Sequence, residues 1–135
     1  MLFRSRKIIP MQILVVDDEA DVRELFQQRF RREIRSGELH FSFAFSGEEA
    51  MEFMRAHHSE VLIILSDINM PGMSGLELLG HVKEEFEMPP TTMMMITAYG
   101  DENSYQQAMQ LGATDFLTKP LDFTVLKEKL TQLLS

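Results

Sequence analysis

Apolar residues along this chain fall into two alternating rhythms. Short continuous runs, ILVV at 13–16, VLIIL at 61–65 and MMMI at 93–96, have the length of strands buried on both faces. LHFSFAF at 39–45 alternates apolar with polar positions, and DFLT at 115–118 is closed by Pro120; both predict strands. Between these runs the spacing changes to three and four. Val22, Phe26, Phe30 and Ile34, with Leu25 beside them, predict one continuous helix. Ala50, Phe53 and Met54 mark a second helix, and Leu76, Leu79, Val82 and Phe86 a third. Tyr105, Ala108 and Met109 mark a short fourth, and Phe123, Leu126, Leu130 and Leu133 a fifth.

The residues between the elements agree with this division. SGEE at 46–49 is a capping-box pattern, with Ser46 as N-cap and Glu49 reaching back. Ser74 and Asp122 are placed to cap the third and fifth helices. Pro89 and Pro90 stop the third helix, and the fourth ends near Gly112. Strands alternating with helices predict a parallel sheet covered on both faces, and right-handed crossovers leave few topologies. The expected fold class is α/β: a doubly wound, flavodoxin-like (βα)5 sheet with strand order 2-1-3-4-5. Residues 1–11 read as a loose lead-in, too short in apolar content for a signal-peptide core, and 12–135 as one domain.

Bulk properties narrow the function. A chain of 135 residues, 44% hydrophobic and 25% charged, can bury a core of ordinary globular kind. A net charge of −8 argues against direct attraction to nucleic acid or to an anionic membrane. The absence of cysteine excludes disulfides, thiolate metal sites and a cysteine nucleophile, and is compatible with a cytoplasmic location. His40, His57, His58 and His81 show no metal-ligand spacing, and nothing marks a phosphodonor histidine.

The chemistry gathers at the strand ends. In a sheet of this order ligands bind beyond the carboxyl ends of the strands. Strand one ends at Asp17 and Asp18, strand three, past Ser66, at Asp67, strand four at Thr97 and strand five at Lys119. Three acids, a hydroxyl and an ammonium therefore converge on one edge. Like charges ~4 Å apart cost about 4 kcal/mol at an effective dielectric of ~20. A hard divalent cation relieves that, and an all-oxygen donor set suits Mg2+ or Mn2+. The plainer reading of Asp17 or Asp18 is a helix N-cap.

ILVVDDE at 13–19, SDINMPGMSGLELL at 66–79, ITAYG at 96–100 and FLTKPLD at 116–122 together resemble the receiver domain of bacterial two-component response regulators, with chemotaxis single-domain receivers nearest in architecture. The resemblance covers roughly residues 12–134. It implies that Asp67 is the phosphoacceptor, taking a phosphoryl group from the phosphohistidine of a sensor histidine kinase or phosphotransfer protein. It implies Mg2+ held by Asp18 and Asp67 with the backbone carbonyl of Asn69, Asp17 acting mainly through a metal-bound water. Thr97 would hydrogen-bond the phosphoryl group, Lys119 would pair with one of its oxygens, and Ala98 would leave space beside it. The Lys119–Pro120 bond would be cis, and Phe116 would be the aromatic switch that responds when Thr97 moves. The readout would be a changed surface on the fourth helix, fifth strand and fifth helix, offered to a downstream target protein, to an output domain beyond Ser135, or to a second copy in a phosphorylation-dependent homodimer. No direct nucleic-acid or membrane partner is implied, and catalysis would be limited to self-phosphorylation and self-dephosphorylation.

Two departures stand out. Helix one runs into RFRREIRSGE, where Arg29, Arg31, Arg32 and Arg35 admit two readings, a solvated extension balancing an acidic protein and a docking surface. Tyr99, two past Thr97, and Asn69, two past Asp67, are positioned to crowd an attacking water. Rival functions remain on the same fold. An aspartate-nucleophile phosphatase of haloacid dehalogenase type would want a DxD pair where strand three offers Asp67-Ile68-Asn69. A nucleotide or flavin binder would want a Gly-rich loop after strand one. A degenerate receiver would act by binding alone.

Overall fold

The structure is a computed structural model that describes residues 9–86, 92–98 and 102–134. Five strands, β1 (Met11–Val16), β2 (Leu39–Ala44), β3 (Ile63–Asp67), β4 (Thr92–Thr97) and β5 (Asp115–Thr118), form one sheet in the order β2-β1-β3-β4-β5. Every pairing is parallel. The expected topology is borne out. Among the described residues six helices cover it: α1 (Asp21–Arg29), α2 (Arg31–Arg35), α3 (Gly47–His57), α4 (Gly75–Glu85), α5 (Glu102–Gln110) and α6 (Phe123–Leu134). None of them is long and apolar enough to cross a membrane.

Alternate side chains of each inner strand enter two separate cores, as the pleat requires. Leu14, Ile64, Met93 and Met95 pack under α3, α4 and α5 with Met54, Leu78 and Leu79. Ile13, Val15, Ile63, Leu65 and Met94 pack under α1 and α6 with Phe26, Phe30, Leu126 and Leu130. Burial of each such side chain contributes roughly 1.5–3 kcal/mol, so the central strands hold their register strongly.

The first helix departs from expectation. It is not continuous through Ile34 but breaks at Phe30, whose φ of −110° and ψ of 22° are not helical. The four-residue apolar repeat reports which face is buried, not whether the backbone runs straight. Here the break seats Phe30 (0% exposed) 5.1 Å from the Phe41 ring and 6.0 Å from Phe123. Capping follows the sequence with one adjustment. Ser74 and Glu77 form a full capping box on α4, and Asp122 accepts from the N–H groups of Thr124 and Val125 on α6. Ser46 accepts from Glu49 N–H at 3.0 Å, but the Glu49 carboxylate reaches one residue further back, to Phe45 N–H. Pro89 and Pro90 lie outside the described residues. Gly112, at φ +98°, closes α5 in the left-handed conformation open to glycine.

Candidate functional site

The carboxyl ends of β1, β3, β4 and β5 bring the expected residues together. Asp17 N–H donates to Ala44 O at 3.1 Å, which extends the β1–β2 ladder by one residue and orients the Asp17 side chain into the edge. β3 continues past its apolar run through Ser66 and Asp67, and Asp67 pairs in register with Ile96. Thr97 is the last residue of β4, and its carbonyl accepts from Lys119 N–H at 2.8 Å. That bond holds Lys119 beside the end of β4, and the Lys119–Pro120 peptide is cis.

One oxygen from each of Asp17, Asp18 and Asp67 lies within 4.8 Å of the others. Asp17 (5% exposed) and Asp67 (4%) are buried, whereas Asp18 faces solvent. Lys119 Nζ donates to Asp67 Oδ2 at 3.0 Å and to Asp17 Oδ2 at 3.3 Å. The N-cap alternative does not hold for either acid. The α1 N-cap is Ala20, with no side-chain cap, and Asp17 Oδ1 instead accepts from Glu19 N–H at 2.9 Å.

Burial pushes the Asp67 carboxyl above its ordinary range, Lys119 pulls it back, and the charge of Asp17 adds to the rise. For Lys119 burial acts to lower the pKa, but hydrogen bonds and attraction from Asp67 and Asp17 outweigh it and hold the ammonium above its ordinary value. One cation thus sits beside a cluster of three carboxylates at this edge, and burial more than the neighbouring charge raises the Asp67 carboxyl. The donor set, all oxygen and partly open through Asp18, fits a hard divalent ion.

Two contacts escaped the sequence reading. Asn69 Nδ2 donates to Thr97 Oγ1 at 3.3 Å while Asn69 N–H donates to Asp67 Oδ1 at 3.4 Å, so Asn69 ties the ends of β3 and β4 together. Glu19 Oε1 lies 3.5 Å from Lys119 Nζ, a third acid in reach of that ammonium beside Asp17 and Asp67. The DDE triplet was the only sign of it. Ala98 is exposed beside Thr97. Phe116 is half-buried, its ring edge-on to Tyr105 at 5.1 Å. Tyr99 lies outside the described residues. A groove of about 340 Å3 runs from Asp17 and Lys119 past Val22 and Phe26 to Arg29.

The response regulator receiver domain signature matches residues 13–131. The chain belongs to that family. Receiver domains are phosphoacceptor modules of two-component signalling, and neither the phosphatase nor the nucleotide-binding alternative is favoured by this match. Response regulator protein PilR of Pseudomonas aeruginosa is 37% identical over 118 residues, 85% of this chain, and the chain spans 24% of that relative's length. A chemotaxis protein CheY homolog of Campylobacter jejuni is 32% identical over 124 residues, 92% of each protein. Among solved structures, a response regulator receiver protein from Pseudomonas putida superposes with a TM-score of 0.79 at 25% identity, covering 93% of this chain and 99% of that one. This receiver domain therefore resembles both stand-alone relatives and the receiver portions of longer regulators.

Proposed function

We propose that Asp67 is the phosphoacceptor of this receiver domain, that Asp17, Asp18, Asp67 and the Asn69 carbonyl hold Mg2+ (or Mn2+), and that residues 12–135 act as one switching module in the cytoplasm. The observation that carries this reading is the Asp67 carboxylate. It is buried, within hydrogen-bond reach of one ammonium and crowded by two further acids. When bound, the metal ion supplies charge neutralisation at the acids and at the incoming phosphoryl oxygens.

The chain's own groups do the rest. An Asp67 oxygen forms a P–O bond as the P–N bond to the donor's phosphoimidazole breaks, and the electron pair stays on the departing nitrogen. A carboxylate is a weak nucleophile, but phosphoryl transfer rests chiefly on positioning and on electrostatic stabilisation. The β3 ladder and the Asn69 N–H position Asp67. Lys119, already within 3.0 Å of that carboxylate, is placed to pair with a phosphoryl oxygen. Thr97 Oγ1, now accepting from Asn69, is free to turn its own proton toward the new group. Ala98 leaves room there. Movement of Thr97 would let Phe116 turn inward and away from Tyr105, changing the α5–β5–α6 face (the fourth helix, fifth strand and fifth helix of the sequence reading). A sensor histidine kinase or phosphotransfer protein is the donor in this reading. A target protein, an output domain or a second copy is the reader. Slow self-dephosphorylation completes the cycle.

The test is intact mass after incubation with acetyl phosphate, with and without Mg2+, for the wild type and Asp67→Asn. The expected result is one phosphoryl adduct that requires both Mg2+ and Asp67. An adduct on the Asp67→Asn variant would move the acceptor elsewhere. Mg2+ binding without any adduct would make this a receiver that acts by binding alone, and turnover of an unrelated phosphomonoester would reinstate the phosphatase.

A further inference from the structure

The arginine-rich segment lies far from the acids, at the opposite end of the sheet. α2 leads into β2, whose first residue, Leu39, pairs with Met11 at the start of β1. Asp17 follows the end of β1, six residues away and so about 20 Å distant along the strand. The stretch 29–35 contains four arginines and one glutamate, a formal +3, in a chain of net charge −8. Its single acid is already committed, because Glu33 Oε2 pairs with Lys127 Nζ of α6 at 3.1 Å. Among the described residues Arg29 finds only the Phe123 ring, 5.3 Å away, and Arg31, Arg32 and Arg35 form no ion pair.

That arrangement is poor for the helix that carries it. α2 is five residues long, too short to persist without packing, and Arg31–Arg35 and Arg32–Arg35 set like charges one turn apart. Arg32 and Arg35 lie in the last turn, where a cation favours the helix C-terminus, but Arg31 has no such compensation. A local rule broken without gain in stability points to use rather than to folding. The side chains also shape the surface. Gln28, Arg29, Arg31, Arg32, Arg35 and Lys127 line a hollow of about 430 Å3 together with Glu33, so five cations meet one carboxylate there. Arg31 and Arg35 form one wall of a second hollow of about 360 Å3, whose other lining includes Ile34, His40 and Phe41. A cationic trough thus shares two guanidinium groups with a partly apolar one.

We propose that this paired trough is a docking site for a short acidic segment of a partner protein, with carboxylates on Arg31, Arg32 and Arg35 and an apolar side chain against Ile34 and Phe41. Planar guanidinium forks match carboxylates in bidentate fashion, and all the uncompensated cations here are arginine rather than lysine. The remaining surface is strongly acidic, which repels a long polyanion such as nucleic acid while leaving a narrow segment attracted within a Debye length of ~8 Å. The cations are presented by flexible side chains, with no glycine-rich loop of backbone N–H groups to cradle a nucleotide phosphate.

The test uses the full chain and a fluorescein-labelled peptide of alternating glutamate and leucine, read by fluorescence anisotropy and by amide shifts in NMR. The site predicts peptide-dependent shifts at residues 27–41 and at Lys127, weakened by added salt. Arg31→Gln with Arg35→Gln should lower affinity about tenfold, the loss of charge-assisted hydrogen bonds. Arg23→Gln with Lys83→Gln, an equal change of net charge on exposed positions elsewhere, should leave it unchanged. Circular dichroism and the acetyl phosphate adduct, read on each variant, confirm that fold and phosphoacceptance are intact. Shifts outside this patch, equal loss in the control pair, or tighter binding of a single-stranded oligonucleotide or of inorganic tripolyphosphate than of the peptide would each overturn the proposal.

Discussion

Gly75 shows how closely single atoms constrain this site. A Cβ built there would sit 2.1 Å from the Asp67 carbonyl oxygen and 2.8 Å from Ile68 Cα, both backbone atoms of the strand end that carries the acid. Gly75 N–H also donates to Ile68 O at 2.9 Å, so α4 begins in direct contact with β3. Neither partner can move without moving Asp67. Gly75→Ala is therefore expected to destabilise the fold by roughly 1–3 kcal/mol, the usual cost of overpacking, and to slow phosphoacceptance. Denaturant unfolding and the rate of adduct formation measure the two effects. A variant with unchanged midpoint and unchanged rate would mean that the loop absorbs the methyl group. Asp67 itself was legible as a candidate because an acid directly after a buried run is conspicuous. The Asn69–Thr97 hydrogen bond was not, since residues 28 apart meet only when their strands are neighbours.

At the scale of elements, α3 and α4 are joined by more than apolar packing. Arg55 Nε and Nη2 donate to the two oxygens of Glu85 at 2.8 and 3.1 Å, a bidentate pair on an exposed surface. Hydrogen bonding to Arg55 is the main reason the Glu85 carboxyl is held below its ordinary value. A carboxyl depressed in the folded state stabilises it above the unfolded pKa, and that contribution is lost as pH falls through the folded pKa. The stability difference between the wild type and Glu85→Gln should thus be present at neutral pH, vanish on acidification through the carboxyl range, and shrink in high salt because the pair is exposed. Urea unfolding across pH checks this, and a difference that persisted at acid pH would assign it to packing. Elements also mark where periodicity misleads. Val22 to Ile34 repeat perfectly, yet the helix breaks at Phe30, whose ring is held among Phe26 of α1, Phe41 of β2 and Phe123 of α6.

For the whole molecule, the carboxyl edge of the sheet is acidic and charge-imbalanced, and its neutralisation is coupled to folding. Mg2+ that binds only the folded state should stabilise it by about 2.7 kcal/mol at a hundred times its dissociation constant. Thermal melts with Mg2+ and with chelator measure this for the wild type and for Asp18→Asn. The gain should be largely lost in the variant; an equal gain in both would place the ion elsewhere. The opposite end of the sheet carries the inverse imbalance, uncompensated arginines on an acidic protein, and the two ends are separated by the length of the central strands.

Much of this architecture follows from local pattern alone. Runs of four or five apolar residues, helical spacing between them, and Gly, Pro and Ser at the boundaries are set by backbone geometry and burial, which act over a few residues. They determined five strands alternating with helices and the placing of Asp17, Asp67, Thr97 and Lys119 directly at or after strand ends, while the order of the strands was narrowed only by the handedness of the crossovers. What only the tertiary structure decided are the pairings between those residues and their surroundings. Lys119 divides itself among Asp17, Glu19 and Asp67, and Glu33 pairs with Lys127 from across the sequence rather than with its neighbouring arginines. Charges act through space at a few ångströms, and which of them come that close is decided by the packing of whole elements, not by their spacing along the chain.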